Sequence, residues 1–236
     1  MSEHRGEALG IEGVRFTWPA SGFALAIDAL SIAKGESIVL HGPSGSGKST
    51  LLSLICGIVV PDAGEIRVMG EPFSPLTPGR RDRMRAERLG VIFQMFNLLP
   101  YASPVDNVLL PLSFAPERAG RVGRDRVGEA RRLLSALGLP RDVIAARRAD
   151  RLSVGQQQRV AVARALIGRP DIVVADEPTS ALDIDARDTF LALMAEQVRA
   201  AGATLLMVSH DQSLATRFDR AVALGDIARL QRGAAA

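Results

Sequence analysis

The sequence has little of what would staple, anchor or extend a chain. Cys56 is its only cysteine, so no intrachain disulfide can form. It sits in the apolar run Leu51-Leu-Ser-Leu-Ile-Cys-Gly57, where a buried structural thiol is expected, not a reactive one. Long hydrophobic runs are missing too. The longest uncharged apolar stretch, Leu51 to Val60, is about half of the ~20 residues a bilayer span needs. Met1 to Gly10 is polar and lacks the apolar core of a signal peptide. The chain is therefore expected not to cross a bilayer, and any membrane association would come through a partner. Strong charge is absent: the formal net charge is +3, too mild to argue for nucleic acid. Lysine is scarce. Lys34 and Lys48 are the only two, which makes Lys48 conspicuous. No internal repeat and no low-complexity segment is visible.

What is present is ordinary for a packed α/β protein. A hydrophobic content of 47% allows a sizeable core. With 236 residues, one large domain, or one domain with a lobe inserted into it, is expected. Ile11 to Trp18 and Phe23 to Ile32 read as strands, with Pro19 to Gly22 as their turn. Ser37 to His41 is a short apolar strand, and Lys48 to Ile55 has helical character. Pro61 to Gly64 reads as a turn and Glu65 to Met69 as a strand. Arg80 to Arg88 is a charged helix whose simplest reading is a solvated face. Gly90 to Phe93 is strand-like. Helical patterns follow at Val105 to Phe114 and Arg121 to Leu137, interrupted by prolines. Further on come a helix from Val154 to Ile167, a buried strand from Asp171 to Ala175, a helix from Ile184 to Ala201 and a strand from Thr204 to Val208. Gln231 to Ala236 reads as a frayed tail. Strands alternating with helices imply a parallel sheet covered on both faces.

Gly42-Pro43-Ser44-Gly45-Ser46-Gly47-Lys48-Ser49 fits the pattern G-x-x-x-x-G-K-[ST], between a strand and a helix. Glycines let the backbone curl so that its N–H groups point at phosphate oxygens. The helix that follows offers its positive N-terminal end to the same anion. Lys48 supplies a mobile charge for the β and γ phosphates, and the Ser49 hydroxyl suits Mg²⁺. Thr50, next in the helix, completes the nucleotide-binding set. By itself this loop says "nucleotide" and no more.

A second constellation is Asp176-Glu177, two carboxylates where the apolar strand Ile172-Val-Val-Ala175 ends. Ligands in open α/β sheets bind beyond strand carboxyl ends. Asp176 is placed to hold Mg²⁺, directly or through water, and Glu177 to act as general base for an attacking water. The alternative is a solvated pair, which the loop upstream makes the poorer reading.

Together these residues resemble the ATP-binding cassette (ABC) family. The discriminating segment is Leu152-Ser153-Val154-Gly155-Gln156, similar to the family signature Leu-Ser-Gly-Gly-Gln with Val154 in place of a glycine. The alternative for it is an ordinary capped helix start. Gln94, after Val91-Ile-Phe93, matches the family's Q-loop glutamine, and Ser180-Ala-Leu-Asp183 its D-loop. His210, after Leu206-Met-Val-Ser209, matches the switch histidine. Trp18 stands where the family stacks an aromatic on adenine, with Phe16 as the other choice and a core role as the alternative for either. The resemblance runs from about Ile11 to Leu224. Within the family, Gly90 to Pro100 with Asp106 to Leu112 resembles the lipoprotein-release and macrolide-export type.

The resemblance implies an α/β fold. It would be a P-loop NTPase core with a mainly parallel sheet, an N-terminal antiparallel β subdomain and an inserted α-helical subdomain at about 95–152, within one ABC ATPase domain spanning 1–236. It implies ATP and Mg²⁺ as ligands, and ATP hydrolysis by a subunit that powers a separate integral membrane permease. Trp18, the loop Gly42 to Thr50 and Gln94 would bind nucleotide. Ser49, Gln94 and Asp176 would serve the metal, and Glu177 and His210 the chemistry. Ser153, Gly155 and Gln156 would complete the site of a second copy, in an ATP-dependent head-to-tail homodimer. No nucleic-acid partner is implied. The implied location is peripheral, on the cytoplasmic face of the bacterial inner (plasma) membrane. Permease docking would fall near Gln94 to Leu112, with Met95-Phe96 and Leu98-Leu99 as an exposed apolar cluster or, alternatively, local packing. A cassette whose permease regulates a cell-envelope hydrolase without moving solute is the alternative function. A soluble cassette acting on DNA or ribosomes lacks the expected coiled-coil insertion or tandem copy. A P-loop kinase leaves the signature and His210 without a role.

Overall fold

A computed structural model of the chain describes residues 6–20, 22–180, 182 and 184–231, with 184 and 185 described by their backbone alone. The chain forms two compact units, one running up to Arg85 and resuming at Thr204, the other Ala86–Ala203. In chain order the first opens with β1 (Glu7–Thr17), β2 (Ala24–Ala33), β3 (Ser37–His41), α1 (Lys48–Ile55), β4 (Ala63–Val68), β5 (Glu71–Pro72) and most of α2 (Pro78–Arg88). The second unit holds β6 (Leu89–Ile92), α3 (Pro104–Leu109), α4 (Pro116–Val122), α5 (Arg126–Ala136), α6 (Arg141–Ile144), α7 (Val154–Leu166), β7 (Ile172–Asp176) and α8 (Ile184–Ala201). The chain then returns to the first unit with β8 (Thr204–Ser209), β9 (Arg220–Ala223), α9 (Leu224–Ile227) and β10 (Ala228–Gln231).

The first unit carries an antiparallel sheet in the order β10-β2-β1-β4-β5. Toward its end β1 alternates: Val14 and Phe16 are buried while Arg15 and Thr17 face out. The β1–β2 turn is closed by Trp18 N–H donating to the Phe23 carbonyl at 2.9 Å. Arg67 on β4 meets Glu7 and Glu12 of β1 and Glu65 of its own strand, so one guanidinium crosslinks two strands. Gln231 is not part of a tail. It pairs with Ala24 on the free edge of β2, as Leu230 pairs with Leu25. A four-residue edge strand has too little pattern of its own; the edge it covers makes it a strand.

The same unit has a parallel trio, with β3 between β8 and β9. Ile38, Val39 and Leu40 are buried, as are all residues of β8, which is why these strands read as unbroken apolar runs. Burial of each such side chain contributes about 1.5–3 kcal/mol. Cys56 is buried at the end of α1, as its apolar run implies.

In the second unit β6 and β7 pair in parallel, from Leu89 opposite Ile172 to Ile92 opposite Ala175. The helix read at Val105 to Phe114 is α3 followed by a 3₁₀ turn, Leu110–Ser113. Pro111 has no N–H to give the Asn107 carbonyl, so the α-helix cannot continue through it. The helix read at Arg121 to Leu137 is two helices. α4 stops at Gly123, whose φ of 77° no helix allows, and Asp125 caps α5 by accepting from Gly128 N–H at 2.8 Å.

Arg118 on α4 is fully buried and pins this unit together. Its guanidinium donates to the carbonyls of Ala165 (2.8 Å) and Ile167 (2.9 Å) at the end of α7, and to those of Leu89 (3.1 Å) and Ala86 (3.2 Å). Burial pushes this guanidinium down to about 10, which leaves it charged at neutral pH. Glu87 is the one buried residue of the otherwise solvated α2. It accepts from the N–H groups of Glu117 and Arg118, both at 3.1 Å, at the start of α4.

Candidate nucleotide-binding site

In the first unit the glycine-rich loop joins β3 to α1. Gly45 and Gly47 have φ of 75° and 88°, so the chain curls through the left-handed region twice within three residues. A Cβ at Gly47 would lie 3.1–3.3 Å from Leu230, Leu25 and Phe23, and one at Gly42 would lie 2.8 Å from Ser46 Oγ. Lys48 is nearly buried. Its Nζ donates back to the carbonyls of Gly42 (2.7 Å) and Pro43 (2.9 Å), closing the loop into a ring of backbone. Ser49 is exposed at the start of α1, where helix N–H groups have no intrahelical partner. The result is a concentration of positive potential around a cradle of peptide groups.

Trp18 and Thr50 also meet here. Trp18 Nε1 donates to Thr50 Oγ1 at 3.1 Å, and its ring stands edge-on to Phe16 with 5.0 Å between centroids. Phe16 is 7% exposed and belongs to the core; Trp18 is 38% exposed and keeps surface for a ligand. Of the two aromatics the structure therefore leaves Trp18 accessible. His210 is exposed, one residue past the end of β8. The register sets His41 opposite Ser209, so His210 and Gly42 leave neighbouring parallel strands at the same edge.

The second unit repeats that arrangement. Ile92 lies opposite Ala175, so the segment bearing Gln94 and the pair Asp176-Glu177 also leave one carboxyl edge together. Glu177 has φ of 43°, a left-handed conformation that costs a carboxylic side chain on the order of 1 kcal/mol. No feature of the sequence signals this strain. The turn beyond it is held by Ser180 N–H on the Glu177 carbonyl at 3.2 Å, and by buried Gln158 of α7, whose amide donates to the Pro178 carbonyl. Ala181 and Asp183 of the D-loop segment lie outside the described residues.

The signature segment is the N-terminus of α7. Ser153 Oγ accepts from Gln156 N–H at 3.3 Å, and Gln156 Oε1 accepts from Ser153 N–H at 3.0 Å, a reciprocal capping box. Capping uses an acceptor of the Ser153 hydroxyl and leaves its O–H to donate. Val154 is 49% exposed in the first turn. A Cβ at Gly155 would meet only Leu182, at an ordinary 3.8 Å.

The apolar cluster read after Gln94 divides. Met95 is 81% exposed, Leu98 and Leu99 are half-buried, and Phe96 is buried. Tyr101 and Phe114, which the sequence reading passed over, are exposed instead. Phe23 and Leu230 beside Gly47, and Gln158 and Arg164 on α7, have no role beyond their elements in the sequence pattern. Their side chains matter through tertiary neighbours that no local pattern announces.

The ABC transporter family model matches residues 26–180. The chain belongs to the ABC transporter family. It is similar to the lipoprotein-releasing system ATP-binding protein LolD 1 of Caulobacter vibrioides, at 42% identity over 93% of this chain and 92% of that one. The corresponding LolD of Anaeromyxobacter dehalogenans is 45% identical over 84% of this chain and 80% of its own length. Among solved structures, the ATP-binding cassette MJ0796, a dimer in a post-hydrolysis state with ADP and Pi, superposes with a TM-score of 0.80. It is 31% identical and covers 95% of this chain and 98% of that one. As an ABC ATPase, the chain has the α/β fold of P-loop cassettes and is an ATP-binding, ATP-hydrolysing transporter subunit. No described helix is long and apolar enough to cross a membrane.

Proposed function

We propose that this ABC ATPase powers a permease of the lipoprotein-releasing or macrolide-exporting type. It would do so as a head-to-tail pair of chains on the cytoplasmic face of the bacterial inner membrane. The observation that carries the subfamily is the near full-length similarity to LolD proteins. We take the chain as one ABC ATPase domain, 1–236, with about 95–152 as its inserted helical subdomain. Exposed Met95, Tyr101 and Phe114 supply apolar surface for the permease.

Local contacts of the site residues support the roles proposed for them. Trp18, fixed by Thr50, offers its ring face to adenine. The loop Gly42 to Ser49 takes the phosphates on its N–H groups, and Lys48 exchanges two carbonyl partners for phosphate oxygens. The oxygen donors of Ser49, exposed at the start of α1, and of Gln94 and Asp176, just past the paired ends of β6 and β7, suit Mg²⁺, which they would hold together with phosphates and waters. Bound there, Mg²⁺ would offset phosphate charge. Glu177, held in its left-handed turn, accepts the proton of the attacking water, and His210 bonds the γ-phosphate. Ser153, Gly155 and Gln156 face the γ-phosphate of the second copy. No group in this scheme calls for nucleic acid.

The test is Glu177→Gln in Mg-ATP. Phosphate release falls about 100-fold or more, the scale of lost general-base catalysis, and the protein elutes as a dimer from a sizing column. A variant that hydrolyses normally and stays monomeric sinks the mechanism. Co-purification from membranes tests the partner: a permease with a large extracytoplasmic domain is expected.

A further inference from the structure

Beyond the family motifs, one buried cation in the second unit has no role in the scheme above. Arg164 lies ten residues along α7 from Val154 of the signature segment and is only 8% exposed. Its guanidinium donates to the carbonyl of Asn97 at 2.6 Å and to that of Phe96. Burial pulls its ionisation below the ordinary arginine range. Those two acceptors belong to consecutive non-glycine residues in the left-handed region, Phe96 with φ of 57° and Asn97 with φ of 48°. The backbone resists that conformation at both positions. It persists because something over-determines it, and a bidentate cation on the two strained peptides does so. The strained pair begins two residues after Gln94. On its far side the segment is held by buried Asn107 of α3, which accepts from Leu99 N–H at 2.8 Å and donates to the Leu99 carbonyl at 3.1 Å.

We propose that Arg164 is a positioning residue for Gln94: it ties the strained turn Phe96–Asn97 to the signature helix, so that α7 and the Gln94 segment move as one body. The proposal rests on the reading of Gln94 as a site residue. A nucleotide gripped at the N-terminus of α7 is thereby felt at Gln94 of the same chain. Arginine is required because one flat fork reaches two carbonyls at once, whereas lysine offers a single point of attachment.

The experiment compares Arg164→Lys, Asn97→Gly and the double variant. Each is tested by hydrogen exchange of residues 95–99, thermal melting and steady-state ATP hydrolysis. Arg164→Lys is expected to raise exchange of those amides about tenfold, to lower kcat several-fold and to leave KM for ATP within about twofold. Asn97→Gly removes the left-handed penalty at one of the two positions, so in the double variant exchange and kcat return toward the parent. Unchanged exchange in Arg164→Lys overturns the proposal. So does a loss spread evenly over the whole second unit with no rescue by Asn97→Gly, which makes Arg164 a packing residue only. If Arg164→Lys does not fold, a folded double variant still supports the clamp and an unfolded one overturns it. Gln94→Ala separates the two readings: normal turnover there refutes the role of Gln94, while the exchange data still judge the clamp.

Discussion

α1 and α7 both begin at a glycine-bearing motif, yet the two helix starts are built in opposite ways. At α1 the chain itself enforces the glycines. Gly47 is left-handed, and a Cβ there would press on Leu25, Phe23 and Leu230. At α7 the start is closed by its own side chains, the Ser153–Gln156 box, and the chain asks nothing of Gly155, where a Cβ would find ordinary space. A glycine required by its own fold marks a loop whose shape one chain sets by itself. A glycine beside open space, in a segment that matches a signature, points to a demand from outside the chain, which is the demand a second copy would make.

The largest test of that contrast is Gly47→Ala. Left-handed alanine costs about 1–2 kcal/mol, and the displaced neighbours add to it. Stability in a denaturant melt is expected to fall by about 2 kcal/mol and ATP binding, followed by fluorescent nucleotide titration, to disappear. Parent-like binding would break the claim that the loop's shape is the binding element. Gly155→Ala comes next and should behave in the reverse sense. The melt is unchanged or higher by up to about 1 kcal/mol, since alanine favours a helix, and nucleotide binding by the single chain is intact. ATP-driven self-association and turnover drop about tenfold or more, the scale of a clash of one or two kcal/mol at a closed interface. A lower melt would return the glycine to the chain's own packing. The smallest effect is at Ser153. Ser153→Ala loses about 1 kcal/mol with the cap, while Ser153→Asp keeps a good cap and an unchanged melt. The carboxylate nonetheless opposes a phosphate, so Ser153→Asp should lose association that Ser153→Ala partly keeps. If association tracks only the melt, capping is the whole role of Ser153.

Much of the fold was legible where periodicity and punctuation are strong. Ser37–His41, Lys48–Ile55 and Ile184–Ala201 form the elements their patterns predict. The breaks at Pro111 and Gly123 have local causes, a missing N–H and a left-handed glycine, and the prolines already interrupt the helical pattern in the sequence. Illegible were the C-terminal strands β9 and β10, because each depends on a sheet edge far away in sequence. The apolar run after Gln94 shows the same limit. Composition alone does not say that Phe96 turns inward while Met95 turns out.

The sequence by itself determined the chemistry available: a phosphate loop, two carboxylates at a strand end, a signature and a histidine, in an order that assigns the family. Those depend on residue type and short spacing, which local backbone geometry converts directly into strands, turns and helix starts. Only the tertiary structure decided the rest. It set Trp18 on Thr50, placed β10 against Gly47, held Glu177 at a positive φ, and aimed Arg164 at the strained turn after Gln94. Each of these is a contact between residues distant in the chain, where the cost of strain or of a buried charge is met by partners that no short window of sequence contains.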